Sequence, residues 1–207
     1  MKLKITALLI IVFLFLGCAF VKDYTEPEKR VIVSCFAIDY KNGFVFTIEN
    51  SLGDKEGNVI TSVYSAQGKT TESAMENLKS ISYGKLLFSQ CPVILIGKNV
   101  NGEKLKELFY YLFDNNDVSL SVKFVCCENA ADILNNETKN PKGYEIERLI
   151  NNNSSLKSIS FAEIIDKDLK NQNSFSLPFI KSNNGRFIIT KHLTFENFLL
   201  LRNGEEV

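Results

Sequence analysis

Apolar residues in this chain recur with two different periods, and the places where the period changes mark its elements. Val31 to Tyr40 is nearly all apolar, Lys41-Asn42-Gly43 supplies a turn, and Phe44, Phe46 and Ile48 then alternate with Val45, Thr47 and Glu49. That order predicts a β-hairpin. A third strand is predicted over 58–66, after a loop containing Gly53, Asp54, Glu56 and Gly57. The period then lengthens: Ala74, Leu78 and Ile81 share one helical face, with Ser73 and Glu76 spaced as a capping box. Leu86 to Phe88 and Val93 to Ile96 are short strands broken by Pro92, whereas Leu105, Leu108, Phe109, Leu112 and Phe113 form a 3.6-residue stripe. Ser119 to Cys127 reads as a buried strand. Asn129 can cap a short helix to Asn136, and Ile146, Leu149 and Ile150 mark another. Ser160-Phe161-Ala162-Glu163 is a capping box with Ile159 and Ile164 as its hydrophobic staple, predicting a helix from Phe161 to Leu169. Strands are predicted again at Phe175 to Ile180, Phe187 to Ile189 and Phe198 to Leu201.

Strands and helices alternate in the middle of the chain and hairpins bound them. This predicts an α+β fold with a mixed, mainly antiparallel sheet and packed helices. The N-terminus has a different character. Lys2 and Lys4 precede the apolar run Ile5 to Leu16, and Gly17-Cys18 follows. Residues 1–17 therefore read as a lipoprotein signal peptide, leaving Cys18 to carry lipid and hold the chain to the bilayer. Phe15 and Leu16 are bulkier than is usual before such a Gly-Cys pair. The alternative is an uncleaved anchor from Ile5 to Val21, at the short end of the roughly 17 to 25 residues a spanning helix needs. Both readings tether the body outside the cytoplasm. Residues 18–30, rich in Lys, Glu and Asp, form a solvated tether, residues 31–181 a domain, and residues 182–207 a fragment of a second one. Asn203-Gly204 after an apolar run is a hairpin signal with only Glu205, Glu206 and Val207 behind it, so a shortened product is expected.

Lys+Arg and Asp+Glu both number 24, which leaves no basic surplus for a polyphosphate; nucleic acid is not an expected partner. Cys35, Cys91, Cys126 and Cys127 lie mostly in or beside apolar runs, where a thiol acts as a small hydrophobe. Oxidation across strands, Cys35 with Cys91 or Cys126, is the alternative in an exported domain. Cys126 and Cys127, adjacent on a strand, point to opposite faces. No spacing suggests zinc, and no metal or cofactor is expected.

Candidate chemistry is sparse. Tyr64-Ser65-Ala66-Gln67-Gly68-Lys69-Thr70 ends like a phosphate-binding loop, but Val63 stands where its first glycine belongs. His192 is the single histidine, with no nucleophile and carboxylate assembled around it. Glu145 and Glu147, two apart on a helix, do not face each other. No catalytic residues are assigned, and the chain reads as not an enzyme. Phe109, Tyr110, Tyr111 and Phe113 read as a helix packed on the sheet with one tyrosine edge exposed.

Taken in order, several stretches resemble the N-terminal domain of the C subunits of spore germination receptors, the Ger(x)C lipoprotein family. They are Gly17-Cys18, Ala37-Ile38-Asp39, the segment from Ser65 to Thr70 leading to Ala74 and Leu78, and the run from Lys85 to Gly97. Asp117 to Val122 and Ala131 to Leu134 fit as well, so that the likeness spans most of Cys18 to Ile180. Ala19-Phe20 replace the Trp-Asp pair usual in that family after the lipidated cysteine. The resemblance implies a non-enzymatic lipoprotein on the outer face of the spore inner membrane, partnered with two integral membrane germinant receptor subunits. It would act as a scaffold or accessory subunit, with Gly68, Lys69 and Thr70 as the expected contact. A ligand-binding envelope lipoprotein of another pathway, with a preformed apolar pocket, is the alternative. A hydrolase with paired, shifted carboxylates is a third reading.

Overall fold

The computed structural model of the chain describes residues 30–53, 59–115, 117–136, 140–153, 159–172, 174–183 and 185–201. The expected leader, Cys18, the tether over 18–29 and the turn expected at Asn203-Gly204 lie outside these residues. From Val31 onward the chain forms one compact unit.

Strands β1 (Arg30–Tyr40), β2 (Phe44–Gly53) and β3 (Val59–Gly68) form an antiparallel meander. Its first turn is the one read from Lys41-Asn42-Gly43: Asn42 takes φ 59° and Gly43 φ 156°. A Cβ on Gly43 would lie 2.5 Å from the Gly68 carbonyl oxygen, so only glycine lets β3 close on the turn. Helix α1 (Thr71–Ile81) follows, then β4 (Lys85–Leu87), a 3-10 turn over Phe88–Gln90, and β5 (Val93–Gly97). Helix α2 (Glu103–Asp114) crosses over to β6 (Lys123–Cys127), which lies parallel to β5. After α3 (Ala130–Asn135), α4 (Lys142–Asn151) and α5 (Phe161–Leu169), β7 (Ser174–Asn183) pairs parallel with β6. The antiparallel strands β8 (Arg186–Glu196) and β9 (Leu199–Leu200) finish the sheet. Its order is β3-β2-β1-β5-β6-β7-β8-β9, with β4 beside β1. The fold is α+β, with a mixed, mostly antiparallel sheet.

Helices cover both faces. Phe36, Phe46, Ile94 and Phe124 pack under α1, α2 and α5 on one face, whereas Ala37, Leu95 and Val125 pack under α3 and α4 on the other. The central strands β1 and β5 are accordingly near-continuous apolar runs, as burial on two faces requires.

Two local expectations change, and the expectation for the cysteines holds. The capping box of α1 is formed by Thr70 and Ser73 rather than Ser73 and Glu76: Ser73 N–H donates to Thr70 Oγ1 (3.2 Å) and Thr70 N–H to Ser73 Oγ (3.0 Å). Strand β6 begins at Lys123, not Ser119. The Leu120 and Val122 carbonyls accept from Ala162 and Phe161 at the start of α5, so this backbone docks a helix instead of entering the sheet. All four described cysteines are reduced and buried. Cys35 and Cys127 pack in the α3/α4 cluster and Cys126 in the other, which separates Cys35 from Cys126 by the sheet itself. Cys91 packs with the second cluster but lies at the border, where its thiol and that of Cys35 both donate to the Val93 carbonyl (3.1 and 3.7 Å). The opposite-face reading of Cys126 and Cys127 holds.

Candidate functional site

The turn Gly68-Lys69-Thr70 joins β3 to α1 and is held rigidly. A Cβ on Gly68 would come within 2.1 Å of the Ala74 amide nitrogen, so the strand end lies flush against the first turn of the helix. Gln67 Nε2 donates to the Lys41 carbonyl and Asn77 Nδ2 donates to the Gln67 carbonyl, both at 2.8 Å. The Thr70–Ser73 box closes the other side. Lys69 and Thr70 remain exposed, beside an open groove of about 540 Å³ lined by Asn42, Gln67, Gly68, Lys69, Ser73 and Asn77. The three residues singled out from the sequence thus share one rigid surface.

A second hollow, of about 440 Å³, runs between α1 and α2 past Glu72, Glu76, Glu107, Tyr110 and Tyr111. Its electrostatics are acidic. The Glu72 carboxyl is held below the ordinary range by its own backbone N–H and by the hydroxyls of Thr70 and Thr71. Burial, then the carboxylates of Glu72, Asp117 and Glu76, push the Tyr111 phenol up to about 12. Tyr110 hydroxyl donates to Asp168 Oδ2 (3.2 Å), linking α2 to α5. The exposed tyrosine edge read from the sequence is this one.

The densest polar cluster is one the sequence reading missed. Glu49, on β2, is fully buried; its carboxylate accepts from Lys142 Nζ (3.0 Å), Lys142 N–H (2.8 Å) and Ser34 Oγ (2.8 Å). Hydroxyl, carboxylate and amine resemble a nucleophile set in composition, but the side chains of the ion pair are 0% and 4% exposed. A substrate has no route to them, and the arrangement works as a clamp that ties α4 to the sheet. Gly143 tightens it, because a Cβ there would lie 1.8 Å from the Ser34 carbonyl oxygen.

Asp39, at the end of β1, performs the same task for α3. Its carboxylate accepts from Ala130 N–H (3.0 Å) and Ala131 N–H (2.8 Å), while burial pushes its carboxyl above the ordinary range against the pull of those donors. Gly97 faces it, leaving room that a Cβ, 2.0 Å from Asp39 Oδ1, would fill. Asp39 closes the stretch Ala37-Ile38-Asp39 and Gly97 the run from Lys85, two of the stretches that carry the family resemblance, and each is explained here by packing. His192 lies on β8 opposite Pro178, and burial lowers its pKa. Glu145 accepts from Asn140 Nδ2. Among the described residues no group of three or more His, Cys, Asp or Glu side chains is placed to hold a metal, and no helix is long and apolar enough to cross a membrane.

A two-faced mixed sheet, helix starts clamped by sheet carboxylates, and an exposed rigid turn define an α+β domain. The sequence matches the family of spore germination protein N-terminal domains over residues 23–182, and the chain belongs to that family. No curated protein and no solved structure matches it.

Proposed function

We propose that this chain is a membrane-anchored, non-enzymatic subunit of a nutrient germinant receptor, acting as a scaffold or accessory element beside integral membrane subunits. Acylated Cys18 would hold it to the outer face of the spore inner membrane. The observation that carries this reading is the family match over residues 23–182. Physical features agree with it in kind. The Glu49, Lys142 and Ser34 cluster is shut inside the sheet and is offered to no substrate, which favours a role through shape and surface. We assign the contact to Gly68, Lys69 and Thr70, because a locked turn presents Lys69 without further loss of conformational freedom on binding. A ligand-binding lipoprotein of another pathway would call for a preformed apolar pocket. The apolar groove between α2 and α5 measures about 80 Å³, against the roughly 300 Å³ at which ligand pockets begin.

Affinity purification of the full chain from detergent-solubilised spore membranes tests the reading. Integral membrane receptor subunits are expected to co-purify, and labelled fatty acid should enter the chain and be lost in Cys18→Ala. Lys69→Glu should reduce recovery of those subunits several-fold with no change in thermal midpoint. Unchanged recovery moves the contact elsewhere; absence of the chain from dormant spore membranes ends the proposal.

A further inference from the structure

The sheet ends in two edges of opposite character. At one, β8 carries Arg186, Lys191 and His192, its pairing with β7 is broken by a bulge at Phe179 and Ile180, and β9 covers its last residues. Charges, bulges and short covering strands are the usual means of keeping an edge from pairing with another chain. At the other, β3 has none of them. Val59 to Gly68 contains no charged residue and no proline, and its register with β2 runs unbroken from Gly53↔Val59 to Phe44↔Gly68. Among the described residues no strand pairs with its outer side.

The direction of its backbone groups can be assigned. The Gln67 carbonyl accepts from Asn77 on α1, so Gln67 turns its polar groups away from β2. Alternate residues of an antiparallel pair face the partner, so Ser65, Val63 and Thr61 also direct N–H and C=O outward. Val59, Ile60 and Val63 leave 52%, 56% and 37% of their surface in solvent, an apolar excess for one strand.

We propose that β3 pairs edge to edge with β3 of a second copy of this chain, antiparallel about a two-fold axis, joining two sheets into one. The occupant is a second copy because a charge-free strand sets no like charges opposite each other when it pairs with itself. Without Lys2 and Lys4 of the expected leader the 24 basic residues fall to 22 against 24 acidic ones, a formal net charge of −2 that sets little long-range repulsion between two copies. Such pairing satisfies the outward groups of Thr61, Val63 and Ser65 by strand addition. The inference stands apart from the receptor reading.

Sedimentation of the full chain in detergent micelles should give the mass of two copies in the micromolar range and of one copy on dilution. Val63→Pro removes an outward N–H without breaking a bond to β2. It is expected to weaken dimerisation roughly tenfold or more while leaving the thermal midpoint in place. Val63→Lys, which keeps the backbone intact, should have the same effect and replaces the proline variant if that one folds poorly. A single-copy mass at every concentration overturns the proposal, as does a dimer indifferent to both substitutions. Slowed exchange of the Thr61, Val63 and Ser65 amides only when spore membrane extract is added also overturns it, by making the occupant another protein's strand.

Discussion

Glu49 and Asp39 are strand carboxylates that spend their charge on helix starts, and Glu49 carries the heavier consequence. Its partner Lys142 stands 93 residues away and is equally buried, so neither charge can return to water if the other is removed. Glu49→Gln keeps the shape and the Ser34 contact but strands the ammonium. Urea unfolding is expected to show a loss of about 3 to 5 kcal/mol. Replacing both partners by apolar residues of similar volume should recover most of that loss, since the penalty belongs to the unpaired charge. The alternation Val45, Thr47, Glu49 against Phe44, Phe46, Ile48 predicts the hairpin but carries no sign that Glu49 is buried. The hairpin pattern reports which positions share a face, but covering by α3 and α4 is a long-range event with no local signal.

Elements whose ends are set by neighbouring residues were legible, and those set by distant contacts were not. Helix α5 runs from Phe161 to Leu169 as the Ser160–Glu163 box and the Ile159–Ile164 staple predict, because both devices act within one turn. The β1–β2 turn follows Asn42-Gly43 for the same reason. Strand β6, by contrast, is shortened by carbonyls that bond to α5, some forty residues onward in the chain. The turn Gly68-Lys69-Thr70 stands between these cases: it was legible as a boundary, while the Gln67, Lys41 and Asn77 bonds that lock it were not. Ser160→Ala removes the hydroxyl that accepts from Glu163 N–H and should cost about 1 kcal/mol in urea unfolding at neutral pH. The Ser160 backbone N–H, then its hydroxyl, hold the Glu163 carboxyl below its ordinary value of 4.5. That contribution is therefore present above the ordinary value and fades as pH falls through the lowered one. Glu163→Gln should show a correspondingly flatter loss of stability on acidification.

At the scale of the whole molecule, a sheet covered on both faces makes its interior thiols reporters of global opening. Cys35 and Cys127 lie beneath α3 and α4 and Cys126 beneath the other helix layer, with Cys91 at the border, its thiol sharing the Val93 carbonyl with that of Cys35. Burial pushes all four thiols up, Cys91 to about 12, so almost no thiolate exists at neutral pH even where a reagent could reach the sulfur. The two layers are fastened differently: the Glu49 and Asp39 clamps hold the α3/α4 side, whereas apolar packing around Phe109, Phe124 and Phe161 holds the other. A chain that opened layer by layer would expose some of these thiols before the others. Because β1 and β5 contribute side chains to both layers, losing either layer uncovers the strands that support the second, and opening is expected to be concerted. With Cys18 replaced by serine, modification by an aromatic disulfide reagent should therefore proceed in a single slow phase involving four thiols, at a rate that follows the unfolding equilibrium in urea. Glu49→Gln should speed all four together. A fast phase of fewer than four thiols in the parent chain, or one that appears only in Glu49→Gln, would mean that the clamped layer lifts by itself and that the sheet does not couple the faces.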